Sequence, residues 1–178
     1  MPTILTHAVV ALGAGAALGS VRVPPRLLVA GAIAAMLPDG DVVAFVLRID
    51  YADAFGHRGA THSLAFAALP GVFAAIAHRP LRTSAWHAGA WIFACTASHA
   101  LLDAFTNGGL GVALAWPCSD ARFFAPWRPI QVSPIGAGFF SARGVAVLKS
   151  ELLWLWLPAL LPAATMALLR RRGRRATV

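Results

Sequence analysis

Apolar residues in this chain come in long, nearly unbroken runs, and short polar clusters cut those runs apart. Runs of this length, with no alternation of period two, predict helices that are apolar on every side. Five are expected. The first spans about Ile4 to Ser20 and is stopped by Arg22, Pro24, Pro25 and Arg26. The second runs from about Leu27 to Leu47, interrupted at Leu37-Pro38-Asp39-Gly40-Asp41, and a polar hairpin follows over Arg48 to Ala60. The third starts near Thr61, where Thr61 or Ser63 can cap the free N–H groups, and ends before His78-Arg79-Pro80. The fourth covers about Trp86 to Phe105 and stops at Asn107-Gly108-Gly109. Leu110 to Lys149, rich in Pro, Gly and aromatic residues, reads as an interfacial or re-entrant segment. The fifth helix covers about Leu152 to Leu169, and a membrane tolerates its Pro158 and Pro162 better than water does.

Composition turns this pattern into a compartment. Of 178 residues, 58% are hydrophobic and 12% charged, against about a quarter charged in soluble domains. An ordinary soluble domain and a disordered chain are both excluded. A bilayer span needs ~20 mostly apolar residues, and the chain holds several such stretches. The predicted fold class is therefore all-α, a polytopic membrane helical bundle forming a single domain over 1–178. The N-terminus has no Lys or Arg before its apolar run, so it reads as a retained first helix rather than a signal peptide.

The net charge of +8 does not indicate nucleic acid. Arg170, Arg171, Arg172, Arg174 and Arg175 directly follow an apolar run, as basic residues do at the cytoplasmic ends of membrane helices. Placing that tail inside also puts Arg22, Arg26, Arg79 and Arg82 inside, which leaves the longer loops outside. An N-terminus out, C-terminus in arrangement is expected. Cys95 and Cys118 have no paired spacing, so neither a disulfide framework nor a thiolate metal site is indicated.

The few ionisable groups are the informative ones. Four of the seven acidic residues are Asp39, Asp41, Asp50 and Asp53, and a fifth is Asp103. Antiparallel helices bring His7, Asp39/Asp41, His57/His62 and His99/Asp103 to the same membrane face, whichever face that is. Ionisable groups at membrane depth are costly and mark function by default. His99 and Asp103, four residues apart on a helix, project toward a common point. Imidazole and carboxylate together suit Zn²⁺, with Mn²⁺ or Fe²⁺ as alternatives. Pro38 and Gly40 loosen the backbone so that both neighbouring carboxylates can turn to one site. A bridging carboxylate could hold two ions ~3.5–4 Å apart. Arg58, beside His57, could meet a phosphate bidentately. Asp50 and Asp53 read as carboxylates of a solvated hairpin, and His78 and His87 fall on the opposite face.

Thr6-His7, Leu37-Pro38-Asp39-Gly40-Asp41, His57-Arg58-Gly59-Ala60-Thr61-His62-Ser63 and His99-Ala100-Leu101-Leu102-Asp103, with Thr106 and Gly108 following, make a recognisable set. The set resembles the LexA-regulated, membrane-bound metal-dependent hydrolase family of bacterial inner-membrane proteins. The resemblance covers about Thr6 to Pro117, the expected metal-site core, and the string around His57 to Ser63 is its most specific element. The order of ligands is also similar to that of the zinc-dependent phospholipase C and P1 nuclease group. That likeness implies His7, Asp39, His57 or His62, His99 and Asp103 as metal ligands, with Asp103 as the bridge. Those enzymes complete a further zinc site with later His and Glu residues. Here no His follows His99 and Glu151 stands alone, which points to one or two ions.

The function expected is hydrolysis by a metal-activated water, with Asp41 as ligand or general base, Arg58 gripping phosphate and Thr106 contributing to substrate binding. Trp116, Phe123, Phe124 and Trp127 form an interfacial belt at which a lipid-linked phosphoester could be met. Membrane lipids and a small-molecule or lipid phosphoester are thus the expected partners. Two other classes compete. A proton-coupled transporter would need repeats and ionisable groups spread through the membrane's depth. A scaffold with a closed structural metal site would use the same residues as an open catalytic one.

Overall fold

Backbone chemistry sets the ends of each helix. In the computed structural model, which describes residues 1–134 and 136–176 without the side chains of 174–176, α1 spans Ile4–Leu18. It ends where Gly19 takes a φ of 85°, the left-handed conformation that glycine adopts without strain. α2, Pro25–Met36, opens on a proline whose missing N–H would have had no partner there. It tightens into a 3-10 turn over Leu37–Val42 and a last α turn over Val43–Val46. α3 is Leu64–Ile76, capped by Ser63, whose Oγ accepts from Phe66 N at 3.0 Å. Of the two capping candidates the structure uses Ser63, because Ala60–His62 forms a separate 3-10 turn. α4, Ala85–Ala104, is capped in the same way by Ser84.

α5 is longer than its apolar run. It starts at Ala142–Glu151, passes through a π turn at Leu152–Trp156 and continues as Leu157–Ala176. The expected start near Leu152 is ten residues late. Arg143, Lys149, Ser150 and Glu151 make the first turns look like loop to a reading based on hydropathy. Pro158 lacks the N–H that would close an α turn onto Trp154, and the helix widens immediately before it. The side chains of Arg174 and Arg175, part of the basic tail, lie outside the described residues.

Helix neighbours run in the order α5, α1, α2, α4, α3. The packing is that of membrane helices, with small residues inside and large ones outside. Ala11, Ala35, Ala67, Ala88, Ala97 and Ala100 are buried, while Leu5, Leu69, Val72, Phe73, Ile76 and Leu161 are exposed. Where α3 crosses α4, a Cβ on Gly71 would stand 3.1 Å from Gly89 O. Between α1 and α5, a Cβ on Gly13 would stand 2.7 Å from Ala159 O.

The architecture is all-α. Among the described residues no strand forms, only isolated bridges between Thr106 and Ile130 and between Val112 and Phe123. Two stretches are long and apolar enough to cross a bilayer, Pro25–Val46 at 22 residues and Ala142–Gly173 at 32. At 15 and 13 residues α1 and α3 fall short of the ~20 a span requires. Length and hydropathy therefore support two spans, fewer than the five apolar runs suggest.

Loops close one end of the bundle. The expected polar hairpin over Arg48 to Ala60 is a series of turns without strands. Arg122 holds it, Nη1 donating to His57 O at 3.0 Å and Nη2 to Tyr51 O at 3.1 Å and Asp53 O at 2.8 Å. Leu64 N donates to Leu114 O, tying the 110–117 segment to the start of α3.

Candidate metal centre

Beneath these loops the polar ends of four elements meet. His7 comes from the first turn of α1, and Asp39 and Asp41 from the 3-10 turn after α2. His57, Arg58 and His62 precede α3, and His99 and Asp103 lie in the last turns of α4. All are buried, His7, Arg58, His99 and Asp103 completely. The predicted convergence on one end of the bundle is what the structure has.

One group of four has metal-site geometry. Asp39, His62, His99 and Asp103 each offer a ligand atom, and these atoms lie within 4.8 Å of one another. Zinc–ligand distances of ~2.0–2.2 Å place two ligands of one ion at most about 4.4 Å apart, so small side-chain rotations would close the shell. His99 Nε2 is 3.2 Å from Asp39 Oδ1 and 3.1 Å from His62 Nε2. His62 Nε2 is 3.4 Å from Asp103 Oδ2.

The hydrogen bonds around this group decide where the protons are. His99 Nδ1 lies 2.7 Å from Ala35 O, which can only accept, so Nδ1 carries the proton and Nε2 faces the cluster with its lone pair. His62 Nδ1 lies 3.1 Å from Thr61 Oγ1, which donates to Asp41 Oδ2, and 3.1 Å from that carboxylate oxygen itself, so Nε2 is the ring atom turned to the cluster. Both arrangements match the outer-sphere acceptors that fix metal-ligating imidazoles. Asp39 and Asp103 meanwhile have no hydrogen-bond partner on any of their four carboxylate oxygens among the described residues. Arg58 already balances Asp103, but Asp39 faces the His99 lone pair, an arrangement that is costly unless a cation joins it. Burial disfavours a charged imidazole at His62, but Asp103 and Asp41 outweigh it and hold its pKa up to about 9. The two negative charges that favour a proton there favour a divalent ion equally.

The remaining expected residues surround the four. His7 stacks on His99, ring centroids 3.6 Å apart, with Nε2 3.6 Å from Asp103 Oδ1 and neither ring nitrogen hydrogen-bonded. His7 thus lies beside the group of four, outside it, with both ring nitrogens unpartnered by hydrogen bonds among the described residues. Asp41 lies outside the donor set. It accepts from Arg58 N at 3.0 Å and Thr61 Oγ1 at 2.7 Å, and holds His57 Nδ1 at 2.5 Å. Of the two histidines left open by the sequence, His62 enters the group and His57 leans on Asp41.

Arg58 and Thr106 have tasks other than those expected of them. The Arg58 guanidinium has Nε 3.0 Å from Asp103 Oδ2, an ion pair without hydrogen-bond alignment. Nη1 donates to Gly108 O and Leu110 O, and Nη2 to Thr106 Oγ1 at 2.9 Å. Thr106 Oγ1 in turn donates to Asp103 O. With no surface open to solvent, Arg58 balances Asp103 rather than presenting a grip for phosphate, and Thr106 supports it. A φ of 63° at Arg58 shows that the chain is strained to place it.

Hydropathy passed over Glu151 and Arg122. Glu151 is completely buried and accepts hydrogen bonds from Thr3 and Thr6. A lone carboxylate beside a long apolar run was its signal. Arg122 carried no signal, since its role depends on carbonyls 65 to 71 residues away.

No solved structure matches the chain. Among curated proteins it is similar to the inner membrane protein YbcI of Escherichia coli (strain K12). The two are 47% identical over 163 residues, covering 90% of this chain and 94% of the relative. The model of the YdjM inner membrane protein family matches residues 1–174, a range that holds the whole centre. The membrane character of the expected resemblance is thereby found, while neither hydrolysis nor LexA regulation is part of these matches. With its apolar helices, its interior of small residues and nearly its full length matched, the chain belongs to the YdjM inner membrane protein family.

Proposed function

We propose that this protein is a metal-dependent hydrolase of the bacterial inner membrane, a phosphoesterase acting on a phospholipid or another lipid-linked phosphoester. The observation that carries the reading is the pair of buried carboxylates, Asp39 and Asp103, whose oxygens face the Nε2 atoms of His99 and His62 and take part in no aligned hydrogen bond. The donors fit a divalent ion: mixed N and O atoms, no thiolate, and a further imidazole, His7, beside the four that a closed structural zinc site would use. Zn²⁺ fits first, with Mn²⁺ or Fe²⁺ as alternatives, in one or two ions.

A bound divalent ion would supply a water of pKa lowered toward about 7 and would offset charge on phosphate oxygens. The chain's own contributions are distinct. Asp41 and Thr61 orient the His62 ring so that Nε2 faces the cluster, and the Ala35 carbonyl leaves the Nε2 lone pair of His99 free. The Arg58 guanidinium lies 3.0 Å from Asp103 Oδ2 and balances its charge. Access requires the turns at 48–60 and the 106–124 segment to part, since the ligands are closed off from solvent. Orientation follows the basic residues, with the centre on the outer face and the C-terminus cytoplasmic.

One observation favours a second reading. Complete burial of His7, His99 and Asp103 suits a structural ion that ties helices together. A proton-coupled carrier has less support, because the cluster gathers at one end of the bundle. The test is direct: purify the protein in detergent, measure bound metal by elemental analysis, and assay phosphoester release with His62→Ala and Asp103→Ala controls. Hydrolysis lost in both variants with the fold intact supports the enzyme. Unfolding without any wild-type hydrolysis supports the structural ion. A metal-free protein indifferent to both substitutions would sink both readings.

A further inference from the structure

Two of the three imidazoles nearest the cluster are aimed by a ring hydrogen bond, His99 to Ala35 O and His62 to Thr61 Oγ1. His7 has none, since neither ring nitrogen meets a partner. Its position therefore depends on where the first turn of α1 is held. The hydrogen bonds that hold this turn come largely from α5, across almost the whole chain. Thr3 N donates to Glu151 Oε1 at 2.5 Å, Thr3 Oγ1 to Glu151 Oε2 at 2.7 Å and Thr6 Oγ1 to Glu151 Oε2 at 2.7 Å. The Thr3 side chain makes no cap of its own. A carboxylate from another helix sits at the positive end of α1 instead.

The π turn explains how one helix face reaches both sides of Thr6. Trp156 Nε1 donates to Thr6 Oγ1 at 2.8 Å while Glu151 accepts from the same hydroxyl. In an α-helix of 3.6 residues per turn, positions five apart point about 140° away from each other. The wider i to i+5 turn over Leu152–Trp156 brings them to one side. Such single π turns recur at functional sites. Glu151 is completely buried, so its retention demands those partners.

We infer that Glu151 is a positioning residue for the metal centre: through Thr3 and Thr6 it sets the His7 imidazole as a ligand. This rests on the metal-binding reading, not on hydrolysis. Removing an outer partner of a metal ligand costs 10–100-fold in metal affinity as a rule, and about that loss is expected here.

The experiment titrates the metal-free full-length protein in detergent with Co²⁺ alone, reading affinity and the visible ligand-field spectrum. Glu151→Ala and the milder Glu151→Gln are each made in the wild-type, His7→Ala and His99→Ala backgrounds, with Thr6→Val as a separate probe. Both Glu151 variants should weaken binding about 10–100-fold and shift the spectrum toward that of His7→Ala. In the His7→Ala background they should add nothing, whereas with His99→Ala the losses should add. A purely structural Glu151 would lower the melting temperature and leave Co²⁺ affinity and spectrum unchanged, and that result overturns the inference. Additive losses with His7→Ala overturn it too. If Glu151→Ala does not fold, Glu151→Gln and Thr6→Val give the same decision. Wild-type protein that binds no Co²⁺ overturns the metal reading and the inference together, whereas normal wild-type binding with unaffected Glu151 variants removes the inference alone.

Discussion

His7 and His99 stack face to face, ring centroids 3.6 Å apart and planes 12° from parallel. The stack joins α1 to α4 and points the two Nε2 atoms at different carboxylates, His7 at Asp103 and His99 at Asp39. Packing and ligation can therefore be separated at His7. His7→Phe should keep the contact and the melting temperature of the metal-free protein while lowering metal affinity. Measuring both on one sample checks this. A melting temperature that falls as far as it does for His7→Ala would show that the ring's nitrogens matter to the fold as well.

Asp41 holds two histidines and meets no expected ligand atom of the ion. Asp41→Asn should fold yet lose about 10–100-fold in metal affinity, the usual cost of an outer-sphere partner. Asp39→Asn, which alters a ligand atom directly, should lose more. Equilibrium titration of both variants ranks them, and the reverse order would make Asp41 the ligand.

Arg58 and Asp103 form a completely buried pair. Breaking such a pair by removing one partner costs about 3–5 kcal/mol, because the other charge is left uncompensated. Arg58→Met should therefore destabilise the metal-free protein strongly. A saturating divalent ion should restore much of the loss, since it supplies the missing positive charge beside Asp103. Thermal melts with and without metal test this, and equal losses in both conditions would argue against an ion near Asp103.

Metal affinity should fall as pH falls, because a ligating imidazole must give up its proton. His62, with its pKa raised to about 9, is the group that decides the window. Below that value the ion displaces one proton, and affinity should drop about tenfold per pH unit between pH 9 and 7. Titrations at several pH values give the slope. In His62→Ala the slope across this window should flatten, and an unchanged slope would place the displaced proton elsewhere.

Gly71 and Gly89 let α3 and α4 approach through their backbones. Gly89→Val should cost about 1–3 kcal/mol by overpacking, with little change in metal affinity measured below the melting transition, since the centre lies at the far end of α4 from the crossing.

Much of this centre was legible in the chain. Ionisable residues are so costly in an apolar chain that their positions gathered His7, Asp39, Asp41, His57, His62, His99 and Asp103 at one end, without separating His57 from His62. The helix-spacing rule alone paired His99 with Asp103. The break at Pro25 and the cap at Ser63 were legible for the same local reason, since both act through their own backbone or nearest N–H groups, whereas Gly19 and Ser84 were seen as ends only in the structure. The start of α5 was not legible, because its first turns carry Arg143, Lys149, Ser150 and Glu151 and are half polar, and the partners of Glu151 are Thr3 and Thr6 at the other end of the chain.

Composition and periodicity by themselves determined an all-helical membrane protein with its polar chemistry gathered at one end. Both follow from the cost of exposing apolar surface to water and of burying charge in an apolar medium. Tertiary structure decided what each polar residue does. It brought His62 rather than His57 into the group that could hold an ion, set Asp41 against both and gave Arg58 to Asp103. It also recruited Glu151 from α5 to hold the start of α1. Those roles depend on hydrogen-bond direction over a few ångströms between segments up to 148 residues apart, and no local pattern in a sequence encodes that.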